Sequence, residues 1–334
     1  MLVCCGLVTL DVLQVVERLP GPDEKIVATD LLVGFGGPAA NAAATAVALG
    51  VRTRLVTALG SGPIADLVRS GLGDAGIELV DLLDGVPRTP GVSTVLVTRA
   101  TGQRAVVSVN ATGAGDLCTR ARELADDALT GASVLLLDGH HLGAALVLAG
   151  WARSAGVTVV LDGGSWKPGL AELLALVDHA VLSADFLLPA GLLLLDGRAA
   201  LEAVAALGPR LVARSAGAGP VRYLLLDGRA ALEAVAALGP RLVARSAGAG
   251  PVRYLLPDGV RGAVEPPPVP PDEIVDTLGA GDVLHGAYCA ELARGAGQVE
   301  ALGRAVATAT VSIRHRGARS WSLLEPPAAP RADV

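Results

Sequence analysis

The sequence predicts an α/β fold: a three-layer α/β/α core around a mostly parallel central sheet, with a small β-sheet lid. The first observation behind this prediction is that short apolar runs alternate with helical patterns through residues 133–182. Such alternation is typical of a parallel sheet that helices cover on both faces. The second observation is that two stretches of β-forming residues, 12–33 and 91–110, stand apart from this alternation. The third is composition: 51% of the residues are hydrophobic and only 2% are aromatic, so Leu, Val and Ala must build the core.

These two β-forming stretches divide the chain into a core and a lid. The Pro/Ala-rich residues 326–334 are expected to be a frayed tail. A chain of 334 residues is long enough to bury a substantial core. The lid is expected to comprise residues 12–33 and 91–110, and the core residues 1–11, 34–90 and 111–325.

The first strand is expected to run from Leu2 to Leu10 and to end at Asp11. Open α/β sheets bind their ligands at the carboxyl ends of the strands, so an acid at the end of a central strand is a candidate ligand contact. The alternative is a plain turn residue at a strand end. The lid strands are expected at Val12–Arg18, Lys25–Val33, Val92–Thr98 and Arg104–Asn110.

A helix is expected to begin at Pro38, directly after Gly36-Gly37, and to end at Gly50. Proline suits the first helical position, and glycine suits the position after the last. The two leading glycines allow a ligand to approach the backbone closely. Asn41 falls in the first turn, where its amide could donate to and accept from a polyol, or simply face solvent.

Further strands and helices follow along the chain. Asp138 and Asp162 each follow a predicted strand, so both are expected at the ligand edge of the sheet. Strands are expected at Thr53–Leu59, Ser133–Leu137, Val157–Leu161 and His179–Leu182, and helices at Ile64–Ala75, Leu117–Asp127, Ala144–Ala155, Leu170–Leu176 and Glu300–Arg314.

An internal repeat occupies residues 193–256. Leu193–Leu225 recurs residue for residue as Leu224–Leu256, with a period of 31. Structural repeats that stack are similar rather than identical, so a perfect copy indicates a recent tandem duplication or an assembly artefact. Both copies cannot take the same place in a sheet. We expect Arg241–Leu256 to take that place, because it leads directly into the motif described next.

That motif is Asp276-Thr277-Leu278-Gly279-Ala280-Gly281-Asp282, ahead of a helical pattern that runs to about Arg294. The unpaired N–H groups and the dipole of a helix N-terminus bind anions such as phosphate. A carboxylate would repel a resting phosphate, so Asp282 suggests a base that takes a proton from a hydroxyl. The alternative is an ordinary helix N-terminus with an acid in its first turn. The letters TGAGD recur at 112–116 without a preceding Asp-Thr pair, and we interpret that copy as a chance match.

Composition excludes several classes of partner. A net charge of −6 with no long charge run argues against a nucleic-acid or anionic-membrane surface. No apolar run reaches the roughly 18 residues of a membrane span, and the N-terminus lacks the basic region of a signal peptide. Four cysteines without metal-site spacing are expected to be reduced thiols, which predicts a cytoplasmic location.

Two motifs stand in a recognisable order: Gly36-Gly37 with Asn41 and Ala43 early in the chain, and 276–282 late. Together they resemble the signatures of the ribokinase-like (PfkB-type) carbohydrate kinases. The resemblance extends over nearly the whole chain apart from the duplicated unit. Within that family, Gly6–Val12, 59–63, 102–104 and 275–282 look most similar to the ketohexokinases.

The resemblance implies ATP-dependent phosphorylation of a sugar hydroxyl, with ATP and Mg²⁺, a K⁺ ion in the loop at 276–277, and a homodimer formed through the lid. It implies that Asp282 is the catalytic base. By position, it assigns Gly279, Ala280 and Gly281 to an anion hole, Asp11, Gly37, Asn41 and Arg104 to sugar contacts, and Ser246, Gly248 and Thr277 to nucleotide binding.

The sequence departs from the family pattern in two places. Ser183-Ala184-Asp185-Phe186 stands where the family often has Asn-x-x-Glu near the metal–phosphate site, so Asp185 is the candidate metal contact. Pro38 stands where ketohexokinases carry a sugar-contacting Asn, which leaves the sugar open. Two alternatives are kept: a nucleoside kinase of the same fold, and a catalytically inactive homologue that binds sugar or nucleotide.

Overall fold

The computed structural model describes residues 1–99, 104–183, 186, 232–233 and 235–323. These residues form two sheets and seven named α-helices, with short 3₁₀ turns at Pro271–Glu273 and Ser320–Leu323. The strands are β1 (Leu2–Cys5), β2 (Thr9–Val16), β3 (Asp30–Gly36), β4 (Thr53–Thr57), β5 (Glu78–Asp81), β6 (Gly91–Thr98), β7 (Arg104–Ser108), β8 (Val134–Leu137), β9 (Thr158–Gly163), β10 (His179–Leu182), β11 (Leu242–Ala247), β12 (Gly250–Leu255) and β13 (Arg261–Val264). The helices are α1 (Pro38–Ala48), α2 (Pro63–Asp74), α3 (Cys118–Leu129), α4 (Leu142–Ser154), α5 (Leu170–Leu174), α6 (Ala280–Ala293) and α7 (Gln298–Ser312).

The large sheet has nine described strands in the order β13-β12-β11-β10-β9-β8-β1-β4-β5. From β11 to β5 all neighbours are parallel, and β12 and β13 add an antiparallel edge. Alternate residues of β8 pack on opposite faces: Leu136 against α1, α2, α6 and α7, and Leu135 against α3, α4 and α5. This three-layer arrangement confirms the predicted fold class.

The small sheet has the order β3-β2-β6-β7. One face of it carries Leu13, Val15, Val95 and Val97, which form a cluster of their own with Leu278 packed against them. This inner face lies on the segment that leads into α6. The lid is therefore a separate sheet whose apolar inner face rests beside the predicted phosphate loop.

The prediction of one strand from Leu2 to Leu10 is wrong. The first core strand ends at Cys5, and the chain turns at Gly6, where any Cβ would collide with the carboxylate of Asp138. Leu7 N–H donates to that carboxylate over 2.8 Å, so the chain is tied to the end of β8 and leaves the large sheet. Asp11 consequently lies inside lid strand β2 and does not end a core strand.

The boundaries of the lid strands also differ from the predicted 12–33. Strand β2 begins at Thr9 and β3 continues to Gly36, because the two pair in register from Thr9↔Gly36 to Val15↔Asp30. The lid pairing therefore takes three residues before the predicted segment and three after it.

The second copy of the duplicated unit supplies two strands of the large sheet. Its β11 pairs in parallel with β10, and its β12 returns antiparallel to β11. Leu232 and Val235, from the start of that copy, are buried against the α3–α5 face. The first copy lies outside the described residues.

Within the described ranges, none of the helices combines the length and the apolarity that crossing a bilayer requires.

Candidate active site

The loop before α6 is shaped by Asp276, which is buried. Its Oδ1 accepts from Leu278 N–H and its Oδ2 from Gly317 N–H, both over 2.8 Å. Gly279 then adopts a left-handed backbone with φ of 73°, and any Cβ there would collide with Ala318. The start of the helix is therefore fixed by the two hydrogen bonds of Asp276 and by position 279, where only glycine fits.

The N-terminus of α6 presents unpaired donors. The first regular helical bond is from Val283 N–H to the Gly279 carbonyl, over 2.9 Å. In the part of the chain that the structure describes, the N–H groups of Gly279, Gly281 and Asp282 meet no acceptor. Three free N–H groups at the positive end of a 14-residue helix suit an anion.

Asp282 lies in the first turn of α6 and is half-buried. Its Oδ2 accepts a hydrogen bond of 2.8 Å from Nδ2 of Asn41 on α1. Burial, with the nearby charge of Asp162, raises the pKa of Asp282 to about 7, although the Asn41 hydrogen bond lowers it in part. A carboxyl group that titrates near neutrality is suited to accept a proton from a hydroxyl.

Asn41 itself is only 8% exposed, so the interpretation of this residue as solvent-facing is wrong. Helices α1 and α6 approach closely because position 286 has no side chain: a Cβ on Gly286 would lie 2.8 Å from both Ala42 Cα and Thr45 Cβ. This contact brings Asn41 within reach of Asp282.

Two buried side chains, His285 and Asp162, influence the pKa of Asp282. Nε2 of His285 lies 3.0 Å from the Val181 carbonyl, and its Nδ1 lies 3.2 Å from Oδ2 of Asp162. Burial lowers the pKa of His285, whereas burial and the charge of Asp138 raise the pKa of Asp162 to about 8. Nδ1 of His285 has no hydrogen-bond partner among the described residues, although Oδ2 of Asp162 lies close to it. Burial therefore disfavours the charged form of both side chains.

A cleft of about 680 Å³ opens between the inner face of the lid, α1, the start of α6 and residues 316–322. It brings together five residues from distant parts of the sequence that were predicted to act at one site. They are Asp11, Gly37, Asn41, Gly279 and Asp282.

Asp11 reaches this cleft from the lid. Its Oδ1 accepts from the Thr9 hydroxyl over 2.6 Å, and its other oxygen packs on Gly36, where a Cβ would collide with it. Gly37 has φ of 96°, and a Cβ there would lie 2.5 Å from the carbonyl oxygen of Leu7. Both glycines of the early motif are therefore required by close packing of the cleft wall.

Arg104 and Thr277 lie outside the residues that line the cleft. They contact each other, since Nη1 of Arg104 donates to Oγ1 of Thr277 over 3.1 Å. This bond joins lid strand β7 to the loop before α6. Ala280 and Gly281 are likewise not cleft-lining, and Gly281 is exposed.

The predicted nucleotide residues lie further along the sheet. Ser246 is the second-last residue of strand β11, and Gly248, with φ of 58°, lies in the turn into β12. Because β8 to β11 run parallel, this turn lies at the same carboxyl edge as Asp138 and Asp162. Asp185, the candidate metal contact, lies outside the described residues. Among the residues that are described, no three His, Cys, Asp or Glu side chains are grouped to hold a metal ion.

One cleft residue was not singled out by any motif. Arg319 follows Gly317 and Ala318 in a segment whose sequence suggests only the end of the ordered core. Its guanidinium carbon lies 3.6 Å from the centroid of the Phe35 ring, inside the cleft. No local pattern could have revealed this, because the contact joins the two ends of the chain.

Comparison with known families places this geometry in context. A family model described as "pfkB family carbohydrate kinase" matches residues 1–325. The match confirms the family resemblance seen in the two motifs, and the closer similarity to ketohexokinases stays a prediction.

Several solved structures share the fold. Ribokinase from Thermotoga maritima superposes with a TM-score of 0.69 at 21% identity, covering 96% of this chain and 95% of that one. Ribokinase from Arabidopsis thaliana, complexed with ribose and ATP, gives 0.66 at 23% identity, covering 96% and 97%. Phosphofructokinase-2 from Escherichia coli, in complex with potassium, gives 0.68 at 19% identity, covering 95% and 94%.

Proposed function

Because the chain belongs to the pfkB family of carbohydrate kinases, we propose that it transfers the γ-phosphoryl group of ATP to a hydroxyl of a sugar, with ketoses the first candidates. One observation carries the proposal. Asp282, held by Asn41 at 2.8 Å, faces a cleft of about 680 Å³ beside free N–H groups of a helix N-terminus. This arrangement supports the proposal because it offers a carboxyl group and free N–H donors beside a cavity with room for a sugar.

Phosphoryl transfer asks a protein mainly for positioning and for stabilisation of charge. In the proposed mechanism the sugar lies in the cleft with one hydroxyl on the Asp282 carboxylate. The carboxylate takes the proton as the hydroxyl oxygen attacks the γ-phosphorus, and the bond from that phosphorus to the β–γ bridging oxygen breaks, so that ADP leaves. The free N–H groups of Gly279, Gly281 and Asp282 stabilise the negative charge on the transferred phosphoryl oxygens.

The nucleotide is proposed to bind along the carboxyl edge of the sheet, with contacts from Ser246, Gly248 and Thr277. The described side chains do not form a metal site, so Mg²⁺ would arrive with the triphosphate and offset its charge. A K⁺ ion is proposed at the Asp276–Thr277 loop, whose shape Asp276 fixes through Leu278 and Gly317. A cytoplasmic location, where thiols stay reduced, belongs to the same proposal.

The cleft favours a sugar over a nucleoside. A base would be expected to stack on an aromatic ring, and Phe35 is the one aromatic side chain among the described cleft residues. The guanidinium of Arg319 already covers that ring at 3.6 Å. A polyol needs donors and acceptors instead, which Asp11 and Asn41 provide.

Release of ADP from ATP–Mg²⁺ should be screened over ketoses, aldoses and nucleosides, together with ligand-induced shifts of the unfolding temperature. We expect turnover with at least one sugar. Turnover confined to nucleosides would favour the nucleoside kinase. Stabilisation by sugar or ATP without any ADP release would instead favour an inactive homologue.

The activity is expected to rise with pH through about 7, because Asp282 must be deprotonated and its pKa is about 7. The Asn41 hydrogen bond stabilises the carboxylate, so its removal in Asn41→Ala should move the acid limb of kcat/KM to higher pH. The measurement is a pH–rate profile of wild type and variant with the same sugar. An acid limb that stays in place or moves to lower pH would show that Asn41 does not tune the base.

A homodimer through the lid is also proposed. Leu31, Val33 and Val107 point away from the cleft on the outer lid face and are 61%, 45% and 75% exposed. The registers Val12↔Val33, Val12↔Thr94 and Thr94↔Val107 place Val33 and Val107 in one row across the sheet. A second copy of the same apolar face is its natural partner.

Light scattering should report twice the chain mass of 33.4 kDa for the wild type. Val107→Asp should give a monomer, because the new charge would be buried at the interface. Val260→Asp, at an exposed turn of the core, is the matched control and should stay dimeric. A monomeric wild type would refute the dimer without touching the kinase proposal.

A further inference from the structure

Arg319 is held in the cleft by both ends of the chain. Its guanidinium stacks on Phe35, with Cζ 3.6 Å from the ring centroid. Gly34 leaves the room it needs, since a Cβ there would lie 2.7 Å from Arg319 Nη2. The carbonyl of Arg319 accepts from the Ser322 hydroxyl over 2.7 Å, which anchors its backbone in the turn that follows. The side chain is therefore a fixed part of the cleft wall.

The guanidinium of Arg319 donates no hydrogen bond to any residue that the structure describes, although it is half-buried and lines the cleft. Burial lowers the pKa of Arg319, and the charge of Asp11 partly opposes this. Its nitrogens are not sealed off from the cleft. A ligand that entered the cleft would displace water from them, and leaving them without acceptors would then be costly. Acceptors brought by a ligand would remove that cost.

Asp11 is the charged group that raises the pKa of Arg319, yet no ion pair of 4.0 Å or less joins the two side chains. A carboxylate only accepts hydrogen bonds and a guanidinium only donates them. A hydroxyl does both. A gap with an acceptor on one side and a donor on the other therefore fits neighbouring hydroxyls of a sugar.

Charge decides between a neutral and an anionic sugar. The other cleft arginine, Arg316, is already ion-paired with Asp30. That leaves one guanidinium against the three cleft-lining carboxyl groups of Asp11, Asp74 and Asp282, so these side chains offer no surplus positive charge to an acid or a phosphate.

We infer that Arg319 binds the sugar directly, donating to hydroxyl oxygens of an uncharged sugar while Asp11 accepts from them. The inference rests on the proposed function and names a substrate-binding residue that no motif indicated. The forked donor geometry suits this task better than an ammonium group, because it can serve two oxygens at once.

The test compares Arg319→Ala and Arg319→Lys with the wild type, using the best neutral sugar from the ADP-release screen and its phosphorylated form. We expect KM for the sugar to rise by about 10-fold or more in the Ala variant and by less in the Lys variant, as for loss of hydrogen bonds to a charged group. The KM for ATP should stay within about 2-fold, because the contact belongs to the sugar. Arg120→Ala, an exposed arginine paired with Glu123 on α3, is the matched control and should change neither constant.

The outcomes separate the two proposals. An unchanged KM for the sugar overturns the inference, as does a rise in KM for ATP as large as that for the sugar. A wild type that prefers the phosphorylated sugar overturns the assignment of an uncharged substrate. If Arg319→Ala fails to fold, Arg319→Lys decides, since it keeps the charge and the stem over Phe35. A wild type that neither binds nor phosphorylates any sugar refutes the proposed function itself.

Discussion

Asp282→Asn is expected to lower kcat by about 10²- to 10⁴-fold, the usual contribution of a positioned general base. An amide has the shape of the carboxyl group and can still accept from Nδ2 of Asn41, so the fold should be kept. It cannot take a proton from the sugar hydroxyl. Steady-state ADP release measures the loss of kcat, and the unfolding temperature of each protein measures any loss of stability.

The chain carries its own control for this substitution. Residues 112–116 repeat the letters TGAGD, and Asp116 lies in an exposed turn, where its Oδ1 accepts from Cys118 N–H over 2.9 Å. Asp116→Asn should therefore leave kcat unchanged. Equal activity of wild type and Asp282→Asn with every accepted sugar would remove Asp282 from the mechanism.

Gly286→Ala is expected to lower the free energy of unfolding by about 1–3 kcal/mol, the usual cost of overpacking. The added Cβ would lie 2.8 Å from Ala42 Cα, which is backbone and cannot rotate away. Helices α1 and α6 would have to separate, and the 2.8 Å bond between Asn41 and Asp282 would lengthen with them. We therefore expect a loss of kcat as well as of stability, measured by denaturant unfolding and ADP release.

The matched control is Gly303→Ala on α7, where a Cβ would meet nothing within 4 Å. An alanine in an open helical position should stabilise the helix by up to about 1 kcal/mol. If both variants are equally stable, the close approach of α1 and α6 does not hold the site together.

Much of the architecture was predictable from local pattern. The apolar runs and helical periods located the parallel strands, and Pro38 marked the start of α1. The period of 31 in the duplicated unit was visible by letter matching, and β11 and β12 of the second copy stand in the sheet. These features depend on the propensity and the spacing of residues that are neighbours in sequence, so local sequence is enough to predict them.

The first strand shows where prediction from local sequence fails. Leu2 to Leu10 is apolar almost throughout, and nothing in those letters reports a break. The break at Gly6 is imposed by the Asp138 carboxylate, which follows β8 more than 130 residues later. Asp11 lines the cleft, but from within lid strand β2 and not from the end of a core strand, where the sequence placed it.

By itself, then, the sequence determined the fold class and the motif at 276–282, because hydrophobic period and the chemistry of small residues before an acid are local properties. Only the tertiary structure decided what surrounds that motif. It brought Asn41 to Asp282 across 241 positions, set His285 3.2 Å from Asp162, and laid Arg319 over Phe35. The pKa of Asp282 depends on burial and on charges brought from other strands and helices. No window of sequence contains those distances, so the raised pKa of Asp282 is a property of the folded chain.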